Sequence, residues 1–190
     1  MINEVAVYRN GEKIAAISDL LSLYQHFNWQ YPKYYKMDNL SRLGWAAAEL
    51  LLERWDAQAY QPEEVAIVLS NANSSLDTDY RYTGTTKDLP SPSVFVYTLP
   101  NIVTGEICIR HGFKGENAFF LSNTFDPVLL TRYTHYLLEA GLARVCITGW
   151  VEWLGENFKA ALFLIEKQET AAALPFTAEN MDRIFKNPTL

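Results

Sequence analysis

The side chains best suited to nucleophilic chemistry lie in one short stretch, Ser122-Asn123-Thr124-Phe125-Asp126-Pro127. It follows an apolar, strand-like segment, Asn117–Leu121. Asp126 suits a helix N-cap, because its carboxylate accepts backbone N–H bonds, and Pro127 suits the first helical position. A side chain in such a turn sits beside unpaired N–H groups and the positive end of the helix dipole, where developing negative charge is stabilised. Enzymes of α/β class often place a nucleophile there. Ser122 and Thr124 are therefore the candidate catalytic hydroxyls. Neither has a histidine base close in sequence; the three histidines are His26, His111 and His135.

Other residues of chemical type group less well. His135 and Glu139 share one helix face at i and i+4, and a solvent-facing pair is the expected reading. Asp77 and Asp79 read as loop acids. The segment Trp29–Tyr35 (WQYPKYY) has the composition of an aromatic or sugar site, but a packed loop or partner interface is favoured. Cys108 and Cys146 each sit inside apolar runs and read as buried free thiols of a cytoplasmic protein. No CxxC, HExxH, G-x-S-x-G, P-loop or dinucleotide fingerprint occurs, so no metal and no cofactor is expected.

The elements that must position these residues follow from patterning. Asp38–Trp55 carries Leu40, Leu43, Ala47 and Leu51 at helical spacing, with Asp38 as N-cap. Val65–Leu69 and Arg144–Val151 are continuous apolar runs, as in strands covered on both faces. A helix runs from Asp126 through Leu129, Tyr133, Leu137 and Ala140 to a stop at Gly141. Gly155-Glu156-Asn157 joins two strands directly, which implies an antiparallel edge. Glu4–Tyr8 is a further strand candidate, closed by Asn10-Gly11. Leu99–Arg110 fits either a helix or a strand. Residues 70–93 read as a polar surface loop with at most one helical turn. A short helix is expected from Thr177 to Phe185. The alternation predicts an α/β layered fold with a largely parallel sheet.

The chain has 190 residues, of which 49% are hydrophobic and 20% charged, enough for a core without disulfides. A net charge of −6 argues against a nucleic-acid binder. No run reaches the length of a membrane span, and the N-terminus lacks the pattern of a signal peptide. A cytoplasmic protein without nucleic-acid or membrane partners is expected.

An ordered series of short segments then stands out: Ser91-Pro92-Ser93, Thr98-Leu99-Pro100-Asn101, Gly105-Glu106-Ile107 and Gly112-Phe113-Lys114-Gly115-Glu116-Asn117. It resembles the N-terminal half of the beta-ketoacyl-ACP synthases, condensing enzymes of the thiolase-like fold. Lys36–Leu52, Val65–Asn71 and Arg144–Glu152 resemble that family's first long helix, second strand and the strand after its nucleophile helix. The resemblance covers residues 1–167, leaving 168–190 as a C-terminal tail. It implies a thiolase-like half-fold with a five-stranded mixed sheet and helices on its faces.

The departures from the family carry the functional expectation. Counting on from Asn117 without a gap, the family's nucleophilic Cys falls on Thr124, and its T-A-C-A turn reads Ser122-Asn123-Thr124-Phe125. The two histidines that the family draws from its second half have no counterpart in these residues. A threonine hydroxyl is essentially un-ionised at neutral pH, whereas a thiol is partly thiolate. The resemblance thus implies a non-catalytic ketosynthase-like subunit rather than an enzyme. Relatives with a replaced nucleophile act as chain-length factors beside a ketosynthase in polyketide-type and aryl-polyene or flexirubin-like pigment biosynthesis. The alternatives are an acyltransferase or hydrolase using Thr124 or Ser122, and a stand-alone acyl-ligand-binding protein. Expected partners are a second copy or a full-length ketosynthase, together with an acyl carrier protein. The expected interface is the strand Asn117–Leu121, through Asn117, Phe119, Phe120 and Leu121, with contributions from residues 29–35 and 70–93.

Overall fold

Four strands build the central sheet. They are β3 (Val65–Asn71), β4 (Asn117–Leu121), β5 (Val145–Leu154) and β6 (Asn157–Glu166), in the order β4-β3-β5-β6. The computed structural model describes residues 5–87, 89–167 and 174–189. Glu4, the expected start of the first strand, and the head of the tail at 168–173 lie outside the described residues.

β3 pairs in parallel with both β4 and β5, while β6 returns antiparallel along β5 from the turn at Gly155. Every residue of β3 is buried, as its continuous apolar run requires of a strand covered on both faces. The sheet holds four strands where one sheet of five is expected. The remaining two, β1 (Val5–Arg9) and β2 (Glu12–Ile17), form a separate antiparallel hairpin. Asn10 and Gly11 both take positive φ there, 49° and 83°, and so form the tight turn that pairs β1 with its immediate successor.

Helices cover both faces. On one face lie α2 (Asn39–Leu52) and α5 (Ile102–His111), with α1 (Leu20–His26) packed on α2 and β2. α2 and α5 pack Leu40, Leu43, Val103 and Ile107 against Ile67, Leu69, Ile147 and Val151. Asp38 caps α2 as predicted: Ser41 N–H donates to its Oδ1 at 2.9 Å and the Thr78 hydroxyl to its Oδ2 at 2.6 Å. On the other face, α6 (Pro127–Glu139) and α7 (Ala178–Lys186) bury Leu130, Leu137, Leu138 and Met181 against Ala66, Val68 and Cys146. Leu130 and Leu137 carry the buried stripe of α6, and Leu129 is only half-buried.

Two local outcomes differ from the sequence reading or resolve it. Leu99–Arg110, ambiguous by pattern, is helical as α5. Residues 70–93 are not a loop: they contain α3 (Leu76–Thr85) and the start of α4 (Pro92–Val96). Asp77 and Asp79 are then first-turn acids of α3, where the helix dipole favours them. Thr78 is the one buried residue of α3, so the helix carries no apolar stripe by which its period could be read.

The glycines of the Gly112–Asn117 segment have distinct physical roles. Gly112 ends α5 in the left-handed conformation, φ 75°, and its N–H donates to Cys108 O at 2.8 Å. Gly115 passes so close to β3 that a Cβ would lie 2.4 Å from the Val65 carbonyl oxygen. That approach sets the register of β4, with Ile67 opposite Asn117.

Candidate functional site

The turn that carries Ser122 and Thr124 stands at the C-terminal ends of three parallel strands, where open α/β sheets present ligand sites. Ser122 N–H donates to Asn71 O at 3.0 Å, extending the β3–β4 ladder by one residue before the chain turns away. Asp126 then caps α6 as predicted, its Oδ1 accepting from Leu129 N–H at 2.9 Å with Pro127 in the first turn. The cap places a carboxylate on the positive end of the helix. The dipole that would stabilise an oxyanion is thereby already complemented by this side chain.

Thr124 is solvent-exposed and Ser122 half-buried. Among the described residues neither hydroxyl hydrogen-bonds to a base. The histidines are engaged elsewhere. His111 Nε2 lies 3.1 Å from Glu49 Oε1, His26 packs edge-on to Phe27, and His135 faces Phe176 at 5.2 Å. Glu49, half-buried, also receives Arg110 at 2.9 and 3.1 Å. Burial pushes the Glu49 pKa up, but the hydrogen bonds from His111 and Arg110 outweigh it and hold the carboxyl below its ordinary range.

The two thiols stand away from the turn. Cys146 is fully buried on β5 beneath α6, and burial pushes its pKa up to about 12, with the Thr134 hydroxyl opposing the shift. Cys108, on α5 across the sheet, is half-buried rather than buried as expected, and the burial it has raises its pKa. A thiol held protonated in an apolar setting is a poor nucleophile. Among the described residues no three His, Cys, Asp or Glu gather as metal ligands, and no helix is long and apolar enough to cross a membrane.

The aromatic segment at 29–35 runs into a short 3-10 helix, Pro32–Lys36, that is anchored on one side and exposed on the other. Tyr34 is buried, and Tyr31 stacks on Trp45 of α2 at 5.5 Å with Arg110 over both rings. An open cleft of about 350 Å³ remains beside Trp29 and Tyr35.

Beside Thr124 the structure places groups that no local sequence signal could announce. Phe125 stacks on Phe185 of α7 with centroids 4.1 Å apart, and both rings meet Trp150 of β5 edge-on at 6.2 and 6.3 Å. Lys159 of β6 reaches over the Phe185 ring at 3.7 Å and donates to the Phe185 carbonyl at 2.8 Å.

β4, the expected interface strand, is the outer strand on its side of the sheet. Phe119 packs toward α2 and α5, whereas Phe120 packs on the α6 face with its ring edge-on to Tyr133 at 5.1 Å. Asn117 and Leu121 are exposed, Leu121 by 59%.

No protein-family model and no curated protein matches this sequence. Solved structures do match. Over 90% of its length the chain superposes on a chain of the ishigamide ketosynthase/chain length factor, with a TM-score of 0.64 and 18% identity. It spans 56% of that chain, little more than half its length. A structure of a ketosynthase in complex with its chain length factor from Xenorhabdus doucetiae matches over 83% of this chain and 74% of the other, with TM-score 0.60 and 16% identity. A beta-ketoacyl synthase from Burkholderia phymatum STM815 matches over 68% of this chain and 33% of its own, with TM-score 0.52 and 14% identity. The fold is thus the thiolase-like fold of ketosynthases and chain length factors. The layered α/β mixed-sheet fold implied by the Ser91–Asn117 series is the one the chain adopts, with four strands in the main sheet and two in a separate hairpin.

Proposed function

We propose that this chain is a non-catalytic ketosynthase-like subunit, similar in role to a chain length factor, that pairs along β4 with a full-length ketosynthase. The observation that carries the reading is the nucleophile turn. Thr124 stands there exposed, with no hydrogen-bonded base among the described residues, a carboxylate caps the adjacent helix, and both thiols lie elsewhere, Cys146 buried and Cys108 half-buried, each with its pKa raised by burial. An unactivated hydroxyl in that position is a poor acyl acceptor.

The outer position of β4 supports the pairing. An unpaired strand edge with an exposed leucine at its end is a template for another strand, and soluble proteins cover such edges. A second copy of this chain would use the same edge, because a twofold interface needs only one self-complementary patch. The acyl chain in this reading belongs to a carrier protein and to the partner, in fatty-acid or polyketide-type biosynthesis, with aryl-polyene or flexirubin-like pathways as the nearest type.

Co-purification of the native protein, with mass spectrometry of what accompanies it, tests the pairing. A ketosynthase in one-to-one complex supports the reading. A protein that elutes alone, or with partners unrelated to acyl-carrier chemistry, refutes it.

A further inference from the structure

The last turn of α7 behaves as an internal ligand. Phe185 offers a ring that stacks on Phe125 at 4.1 Å and meets Trp150, itself only 5% exposed. It also offers a carbonyl oxygen that accepts from Lys159 Nζ at 2.8 Å, while the same ammonium lies 3.7 Å from the ring centroid. An apolar body and an oxygen acceptor are therefore held together by two aromatic rings and one cation. Lys159 is solvent-exposed, and among the described residues it meets no carboxylate; its protein partners are a neutral carbonyl and a ring face.

The anchoring of α7 is separate from this contact. Met181, 2% exposed, fixes the helix against α6, where the Thr131 hydroxyl donates to its sulfur at 3.3 Å. Thr177 caps the N-terminus by accepting from Asn180 N–H at 3.2 Å. Phe185 lies one turn beyond Met181, in the final turn, and terminal turns are the part of a helix that opens most readily. An opening confined to that final turn would break the Lys186–Asp182 pair and the Asn187 N–H bond to Arg183 O, and would leave the Met181 anchor in place.

We propose that Phe185 stoppers a binding site for an apolar carboxylate beside the Ser122–Asp126 turn. The body of the ligand takes the place of the Phe185 ring on Phe125 and Trp150, and its carboxylate takes the place of the Phe185 carbonyl on Lys159. A carboxylate makes a charge-assisted bond to an ammonium, stronger than the one a neutral carbonyl makes, so the exchange is favoured once the final turn opens. The site does not depend on pairing at β4 and stands or falls separately from it.

The test uses the full chain and 4-phenylbutyrate as probe, with affinity read by calorimetry. Phe185→Ala is expected to bind the probe at least tenfold more tightly than the native protein, because the stopper is gone. Adding Lys159→Met to that variant is expected to remove the gain. In the native protein, saturating probe is expected to speed amide exchange at residues 185–187 and leave 178–181 unchanged. That last measurement holds even if a variant folds poorly. No gain in Phe185→Ala, equal affinity with and without Lys159, or unaltered exchange at 185–187 would each overturn the proposal and make Phe185 an ordinary packing residue.

Discussion

Leu121→Lys separates the proposed interface from the core of the protomer. Phe119 and Phe120 are half-buried and pack against the two opposite cores of the sheet, so lysine at either position would cost stability as well as association. Leu121 belongs to neither core and keeps 59% of its surface exposed at the end of the outer strand. Full burial of a leucine is worth about 1.5–3 kcal/mol, so covering the remaining exposed fraction contributes about 1–2 kcal/mol. In a twofold dimer the residue counts twice. Its loss then weakens association by about 2–3.5 kcal/mol, roughly 20- to 300-fold in the dissociation constant. In a heterodimer it counts once, and the expected loss is roughly 5- to 20-fold. Sedimentation across micromolar concentrations reads the difference, against the native protein alone and mixed with a full-length ketosynthase, the proposed partner. The melting temperature should move by less than about 2–4 °C, the shift that ~1 kcal/mol produces in a chain of this size. Unchanged association in Leu121→Lys, or a stable native monomer with or without a ketosynthase, would refute the reasoning.

Other predictions concern the turn and its surroundings. Asp126→Ala removes the cap of α6 and should lower stability by about 1 kcal/mol, visible as a lower denaturant midpoint. Glu49 has a folded pKa below its ordinary value of 4.5, so its contribution to stability is present above that value and is lost as pH falls through the lowered folded one. Thermal melts from pH 6 to 3 should therefore fall less steeply for Glu49→Gln than for the native protein. Cys146 should resist a thiol reagent at pH 8 until the protein unfolds, whereas a rapid native reaction would contradict the burial that raises its pKa.

Much of the fold was legible because the signals are local and physically forced. The apolar runs of β3 and β5 can only be strands covered on two faces, and Asp126-Pro127 sets the start of α6 by hydrogen bonding and a fixed φ. The turn at 155–157 leaves no room for a crossover and so dictates an antiparallel edge. The misses have equally definite causes. α3 buries only Thr78 and so shows no stripe. β1 was legible as a strand, but its partner β2 was not, and the hairpin drew β1 away from the main sheet. Within the candidate site, the positions of Thr124 and Ser122 followed from the turn chemistry. The contact of Phe125 with Phe185 and Lys159 did not, because it joins α7 and β6 to the turn through tertiary packing with no trace in the spacing of residues.

Whether this chain condenses acyl thioesters is tested most directly on the pure protein. It is incubated with an acyl-carrier protein and a malonyl-carrier protein, and both the ketoacyl product and the intact mass of the chain are recorded. The account predicts no ketoacyl product and no acyl adduct, with Thr124→Cys failing to restore turnover. Clear turnover by the native chain, or an acyl adduct that disappears in Thr124→Val or Ser122→Ala, would contradict it.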